Sequence, residues 1–244
     1  MGMVKLAIII PCFNESGNIQ KVIEELNNIS ISGVEIHPLV VNDCSSDNTI
    51  DIVRTLACDY LDLPVNLGIG GAVQSGFKYA WKNNFDIAIQ LDGDGQHPAD
   101  QIEDIIKPII ENKADVVIGS RFINKKGFQS TFARRMGIQY FMYLNRFLIG
   151  LKIHDSTSGF RAINRKALNI VSDYYPDEYP EPEAILLYAM NDLKIMEVPV
   201  LMKAREEGVS SIRSFGSLYY MFKVTLGIVF MYLKLLRYGK RNSF

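Results

Sequence analysis

The sequence predicts an α/β fold, a mainly parallel sheet covered by helices on both faces. Three observations predict it. Short, largely apolar runs recur at residues 6–10, 36–41, 87–91 and 116–118, the pattern of strands buried on both faces. Segments with helical apolar spacing lie between them, and strands separated by helices imply parallel pairing. Each run ends in a cluster of polar, acidic or glycine residues, on the edge where open α/β sheets bind ligands. With 244 residues and 48% hydrophobic content, the chain can build one large core.

The elements follow in order. Strand one (6–10) leads to a helix over 18–29, and strand two (36–41) to a helix over 49–56 with Asp47 as its N-cap. A short third strand near 60–63 precedes a glycine-opened helix over 70–81. After the fourth strand, Pro98 starts a helix at a position where proline is tolerated. The second half holds a long helix over 132–148 with Arg134, Arg135 and Arg146, then a polar loop over 155–161 that leads into a strand. Tyr179, Pro180, Glu181, Pro182 and Glu183 open a helix over 184–191, and the last strand spans 195–198.

The C-terminal part differs in character. Residues 215–236 are almost entirely apolar and aromatic, broken by Lys223 and Lys234 and followed by Arg237, Lys240 and Arg241. A central lysine is costly in a spanning helix, and the uninterrupted stretch 224–233 is too short to span. The expectation is a helix in the membrane interface with snorkelling lysines. The alternative is a helical element packed on the domain or on a second copy of the chain, a homo-oligomer. The expected organisation is one domain over 1–212 and an apolar, basic C-terminal helical segment over 213–244.

A net charge of -1 excludes the basic excess of a nucleic-acid binder. Cys12, Cys44 and Cys58 lack metal spacing and fit a reducing cytoplasm. The chain enters a strand at once, so no signal peptide is expected.

The chemistry gathers at Asp92 and Asp94. Two carboxylates two residues apart repel each other unless a cation lies between them. A hard cation held by carboxylates and phosphate oxygens is the usual arrangement for Mg2+ or Mn2+. His97 follows this loop, either as a further ligand or as the source of a loop-ordering hydrogen bond.

Six motifs occur along the chain, the first five of them on the predicted ligand edge: Pro-x-Phe-Asn-Glu at 11–15, Asn-Asp-x-Ser-x-Asp at 42–47, Asn-x-Gly-x-Gly-Gly at 66–71, Asp-Gly-Asp-x-Gln at 92–96, Gly-Ser-Arg at 119–121 and, in the polar loop before a later strand, Thr-Ser-Gly-Phe-Arg at 157–161. Jointly they resemble the family-two glycosyltransferases of the GT-A, Rossmann-like fold, in particular polyprenyl-phosphate sugar synthases and bacterial polysaccharide glycosyltransferases. The resemblance covers roughly residues 4–212. It implies that Pro11, Asn14 and Glu15 shape a nucleotide pocket and that Asp43 reads the base or ribose. Gly70 and Gly71 would let the backbone approach the nucleotide. Asp92, Asp94 and Gln96 would hold the metal that bridges the diphosphate. Arg121 and Arg205, with Arg135 or Arg134 in support, would hold phosphates. Thr157, Ser158 and Arg161 would line the acceptor or sugar side.

The implied reaction is a metal-dependent, inverting transfer of a sugar from a nucleoside diphosphate sugar. The expected acceptor is a lipid-linked saccharide at the cytoplasmic face of a membrane, in cell-envelope polysaccharide assembly. A sugar hydroxyl needs a base, and Glu183 or Glu181 is the candidate, with Glu183 preferred. The same acids can instead complement the helix dipole. The alternative acceptor is a polyprenyl (dolichyl or undecaprenyl) monophosphate, already ionised and needing no base. A sugar-1-phosphate nucleotidyltransferase is a remote alternative, because the loop after strand one carries no lysine or arginine.

Overall fold

The computed structural model describes residues 2–124, 132–177, 180–202 and 216–238. Among these residues one mostly parallel sheet of seven strands is flanked by helices. The strands are β1 (Val4–Cys12), β2 (Val34–Asn42), β3 (Asp59–Asp62), β4 (Ile87–Gln90), β5 (Val116–Ser120), β6 (Arg161–Asn164) and β7 (Ile195–Pro199). Their order across the sheet is β3-β2-β1-β4-β6-β5-β7. All neighbours pair in parallel except β6, which runs antiparallel to both β4 and β5.

The helices are α1 (Ile19–Asn27), α2 (Thr49–Val53), α3 (Gly68–Lys82), α4 (Ile102–Ile110), α5 (Phe132–Ile149), α6 (Arg165–Asp173), α7 (Pro180–Met190) and α8 (Gly216–Tyr238). The interior strand β1 is apolar and buried from Leu6 to Cys12 because both faces are covered there. Leu6, Ile8 and Ile10 pack with α1 and α4 through Ile19, Val22, Ile23, Ile102, Ile105 and Ile106. Ala7 and Ile9 point the other way, to Val73 and Phe77 of α3, Leu168 and Val171 of α6, and Ile185 of α7. This is the period-2 alternation of a strand meeting helical i, i+3, i+4 stripes. A third, smaller core joins Phe141 of α5 and Leu186 of α7 to Val224, Ile228 and Met231 of α8.

Three local features depart from the expectations. The helix α2 is shorter than expected. Its first amide, Thr49 N–H, donates to Asp47 Oδ1 at 3.0 Å, so Asp47 caps it from just outside. An unanticipated α6 is capped by Asn164, whose Oδ1 accepts from Ala167 N–H at 3.0 Å. Finally, α7 begins at Pro180 rather than 184, because proline is tolerated in a first turn. Both Glu181 and Glu183 therefore lie in that turn.

Close packing of α3 on the sheet depends on Gly76, where a Cβ would stand 2.3 Å from Ile9 Cγ2. In an exposed helix, Gly→Ala gains about 1 kcal/mol. Here overpacking of about 1–3 kcal/mol outweighs that gain. Gly76→Ala is expected to lower the urea midpoint of unfolding. An unchanged or higher midpoint would show that α3 can step back from β1 at no cost.

Candidate active site

The carboxyl ends of β1, β2, β4 and β5 bring their loops to one edge. Because β6 is antiparallel, the loop that precedes it, 155–160, arrives at the same edge. The first two loops brace each other. Asn14, at φ 58°, accepts from the Ser46 and Asp47 amides on Oδ1 at 2.8 and 3.3 Å. The Glu15 amide donates to Thr49 Oγ1 at 2.9 Å, and Glu15 Oε2 accepts from Asn18 Nδ2 at 2.9 Å. Pro11 is buried in β1 opposite Val41. Asp43, which is also buried, accepts from the Leu67 amide at 2.7 Å and so fixes the entry to α3.

The two glycines at the start of α3 pack closely on the chain itself. A Cβ on Gly70 would fall 2.2 Å from the carbonyl oxygens of Pro176 and Asp177, and the Gly70 amide already donates to Asp177 O at 3.0 Å. A Cβ on Gly71 would fall 2.5 Å from Leu67 Cβ. Close approach of the chain to itself therefore calls for glycine at both positions.

In the loop after β4, Asp94 is buried and its Oδ1 accepts from the Gln96 amide at 3.1 Å, while Asp92 remains part-exposed. His97 is buried behind them, its ring stacked on Phe160 with centroids 4.8 Å apart. His97 Nε2 lies 3.5 Å from Asp92 Oδ2, too far for a hydrogen bond, and among the described residues neither ring nitrogen has a hydrogen-bond partner. The loop-ordering hydrogen bond expected of His97 is therefore not made. Among the described residues, no three His, Cys, Asp or Glu side chains converge as a ready-made metal cage. Two carboxylates and an amide oxygen fit a Mg2+-type ion, which takes its remaining ligands from substrate phosphate and water. Unpartnered buried nitrogens beside Asp92 accord with a further charged group at this spot.

The loop 155–160 is held by two buried arginines. Arg121 Nε and Nη2 donate to Asp155 Oδ2 and Oδ1 at 2.6 and 2.7 Å, and Nη2 also reaches Thr157 Oγ1 at 3.1 Å. Asp155 is fully buried, so the Arg121 fork expected to hold phosphate is engaged by a buried carboxylate of its own chain. Arg161 departs further from expectation. It is 2% exposed and donates from Nε, Nη1 and Nη2 to the carbonyls of Ser158, Glu181 and Ser156 at 2.7, 2.6 and 2.8 Å. A guanidinium spent on three backbone carbonyls shapes the loop and does not line an acceptor surface. Ser158 is likewise buried.

The two acids of α7 point in different directions. A Cβ on Gly227 of α8 would fall 2.5 Å from Glu183 Oε1, so that carboxylate lies against α8. Glu181 instead reaches the end of β4, where its Oε1 accepts from Gln90 Nε2 at 3.2 Å. The preference for Glu183 as the base is thus reversed. Glu181 keeps some accessible surface, but protein surrounds its carboxyl group, and burial raises its pKa. Asp92 adds to the rise, while Arg161 and the Gln90 hydrogen bond oppose it. Tyr175 and Tyr188 close this network from below, Tyr175 through a 3.4 Å hydrogen bond to Gln90 Oε1, and burial lifts Tyr188 to about 12. Burial also pushes the Cys12 thiol well up, disfavouring the thiolate.

The structure thus brings together Asp92, Asp94, Gln96, His97, Gln90 and Glu181. Arg205 and the Arg135 side chain lie outside the described residues. Sequence reasoning missed Gln90 and Asp155. Gln90 could have been found as the one polar residue in an apolar strand run, and Asp155 as a carboxylate beside an arginine-bearing motif.

With this geometry in place, comparison with known proteins is informative. Residues 7–171 match the model of the glycosyl transferase family 2. The UDP-N-acetylglucosamine–dolichyl-phosphate N-acetylglucosaminyltransferase of Methanococcus voltae is 32% identical over 213 residues, which cover 79% of this chain and 83% of that protein. The polyprenol monophosphomannose synthase of Mycolicibacterium smegmatis is 27% identical over 227 residues, 89% of this chain and 84% of that one. Among solved structures, glucosyl-3-phosphoglycerate synthase from Mycobacterium tuberculosis, in complex with Mn2+, UDP and glucosyl-3-phosphoglycerate, superposes with a TM-score of 0.71 at 17% identity, covering 93% of this chain and 80% of that one. The sheet and its flanking helices are those of a GT-A fold.

The raised pKa of Glu181 gives a pH test. Folded protein binds this proton more tightly than the unfolded chain, whose glutamate titrates near 4.5. The associated stability is full below that value and is lost as pH rises through the folded pKa. Glu181→Gln is therefore expected to gain stability relative to wild type between pH 4 and pH 8, measured by urea unfolding. A constant difference would show a glutamate that titrates as it does in water.

Proposed function

The chain belongs to glycosyl transferase family 2, and we propose that it moves a sugar from a nucleoside diphosphate sugar to the phosphate of a polyprenyl lipid at a membrane surface. The observation that carries the choice of acceptor is the placement of Glu183. The acid preferred as the base for a sugar hydroxyl lies against Gly227, whereas a lipid phosphate arrives ionised and needs no base. The named activities of the two relatives, both lipid-phosphate sugar transferases, support this reading. It displaces the lipid-linked saccharide as the first expectation.

In this reading Asp92 and Asp94, with the Gln96 side chain, hold Mg2+ or Mn2+, whose bound charge would stabilise the leaving diphosphate. Asn14, Glu15 and Asp43 set the shape of the nucleotide side by bracing its loops. The acceptor phosphate oxygen bonds to the anomeric carbon as the bond to the diphosphate breaks, with inversion. A second reading has one observation in its favour. Glu181, near the end of β4 with a raised pKa, could serve as base for a saccharide acceptor.

The C-terminal segment supplies the membrane contact. Phe222, Leu226, Phe230 and Leu233 form one exposed stripe of α8, opposite its packed face of Val224, Ile228 and Met231. On α5, Met136, Tyr140, Tyr143 and Phe147 are exposed as well, and Tyr140 Oη meets Thr225 Oγ1 at 3.1 Å, joining the two helices. Among the described residues no helix is long and apolar enough to cross a membrane. An apolar face of this extent suits a lipid interface, and the proposed site of action is the cytoplasmic leaflet.

Two measurements test this. Purified protein is supplied with Mn2+, a panel of nucleotide sugars, and either polyprenyl phosphate or a lipid-linked saccharide. Label is expected on the monophosphate, with Glu181→Gln changing the rate by less than about tenfold. A loss of about 10²–10⁴-fold, as removal of a general base gives, would favour the saccharide reading. In the second test, Phe222→Glu with Phe230→Glu is expected to abolish co-sedimentation with anionic phospholipid vesicles while the circular dichroism is unchanged. Undiminished binding would assign this face to contact between copies of the chain.

A further inference from the structure

His97 is poorly explained as packing alone. Its side chain is 2% exposed, yet both ring nitrogens lack a hydrogen-bond partner among the described residues. A neutral imidazole carries one donor and one acceptor. Burying both unpaired is unfavourable and uncommon in folded proteins, and an absent ion is one of the recognised explanations. Phenylalanine would fill the same slot against the Phe160 ring without that cost.

The surroundings show which nitrogen matters. Phe160, itself fully buried, fixes the imidazole plane by stacking at an interplanar angle of 27°. This leaves Nε2 facing Asp92 Oδ2 at 3.5 Å. The Asp92 carboxylate also abuts the Gly159 backbone, where a Cβ would fall 2.8 Å from Oδ1 and 3.1 Å from Oδ2. A shift of a few tenths of an ångström toward His97 would bring Oδ2 into hydrogen-bond range of Nε2.

We propose that His97 is a positioning residue for Asp92: its Nε2–H takes up Oδ2 once a divalent cation engages the acid pair, so that the carboxylate presents its other oxygen to the ion. The inference rests on the reading that Asp92 and Asp94 hold such an ion. Carboxylate ligands are commonly oriented by outer hydrogen bonds of this kind, and their loss typically weakens metal affinity by about 10–100-fold.

The test is Mn2+ binding by the full-length chain in the presence of UDP, followed by the electron paramagnetic resonance signal of free Mn2+, with thermal melting measured in parallel. His97→Phe keeps the stack and removes both nitrogens. It is expected to melt at or above the wild-type temperature and to bind Mn2+ about 10–100-fold more weakly. His97→Gln, whose amide nitrogen falls near the Nε2 position, should recover most of the affinity. His97→Asn, whose amide nitrogen falls near Nδ1, should not. Wild-type Mn2+ affinity in His97→Phe, or equal rescue by Asn and Gln, would overturn the proposal. Asp94→Ala separates the two levels. If it abolishes Mn2+ binding while His97→Phe binds normally, only the role of His97 falls. If both variants bind normally, the acid-pair reading falls with it.

Discussion

The ligand edge of the sheet depends on one buried guanidinium. Arg161, the first residue of β6, ties the Ser156 and Ser158 carbonyls to that of Glu181, drawing the 155–160 loop and the first turn of α7 onto the same point. Hydrogen bonds from a charged donor are the strong ones, and a buried charge is tolerable only when its donors are used. The planar fork reaches three carbonyls at once, a geometry no lysine can copy. Once that loop is fixed, Gly159 lies against Asp92 and Phe160 lies beneath His97. The position of the acid loop is therefore inherited from an arginine that itself faces no open surface.

Much of this architecture was legible in the sequence, for identifiable reasons. Strands β1, β2 and β4 read directly because central parallel strands are apolar on both faces, and the acid loop was placed by the rule that ligands sit at the carboxyl ends of such strands. The strand order was not legible, since the four residues of β6 carry no sign of where or in which direction they pair. Glycines were legible as points of close approach, but glycine does not say what approaches. At Gly70 it is the carbonyl of Asp177. The motif resemblance implies a ligand-facing Arg161, but its burial depends on carbonyls that only the folded chain assembles. The split between Glu181 and Glu183 follows from helix geometry. Residues two apart on a helix point about 200° apart, so only one can face β4, and which one depends on where the helix begins.

The C-terminal helix reconciles two readings that looked exclusive. Its inner face is an ordinary part of the fold, sealed onto α5 and α7 through Phe141 and Leu186. Its outer face is a row of uncovered aromatic and aliphatic side chains. Lys234 lies over the Tyr174 ring, with Nζ 4.6 Å from the centroid, so its charge is partly met by the protein itself. Such a helix can lie flat on an apolar phase while remaining anchored to the sheet beneath. The chain would then bring its ligand edge to a lipid headgroup through a helix that is itself not long and apolar enough to span.

The antiparallel β6 also constrains the order in which the molecule can be made. The partners of β4 are β1, which precedes it by some seventy residues, and β6, which follows it by a similar distance. A nascent chain that has completed β5 still lacks the strand between β4 and β5. Until Arg161–Asn164 arrives, Ile87–Gln90 is an uncovered, wholly apolar-flanked sheet edge, the kind that recruits foreign strands. Non-local pairing of this sort is slow to form. The same four residues that position the site are thus also the strand that joins β5, and later β7, to the rest of the sheet, so errors in that segment would surface as aggregation of newly made chains as well as loss of activity.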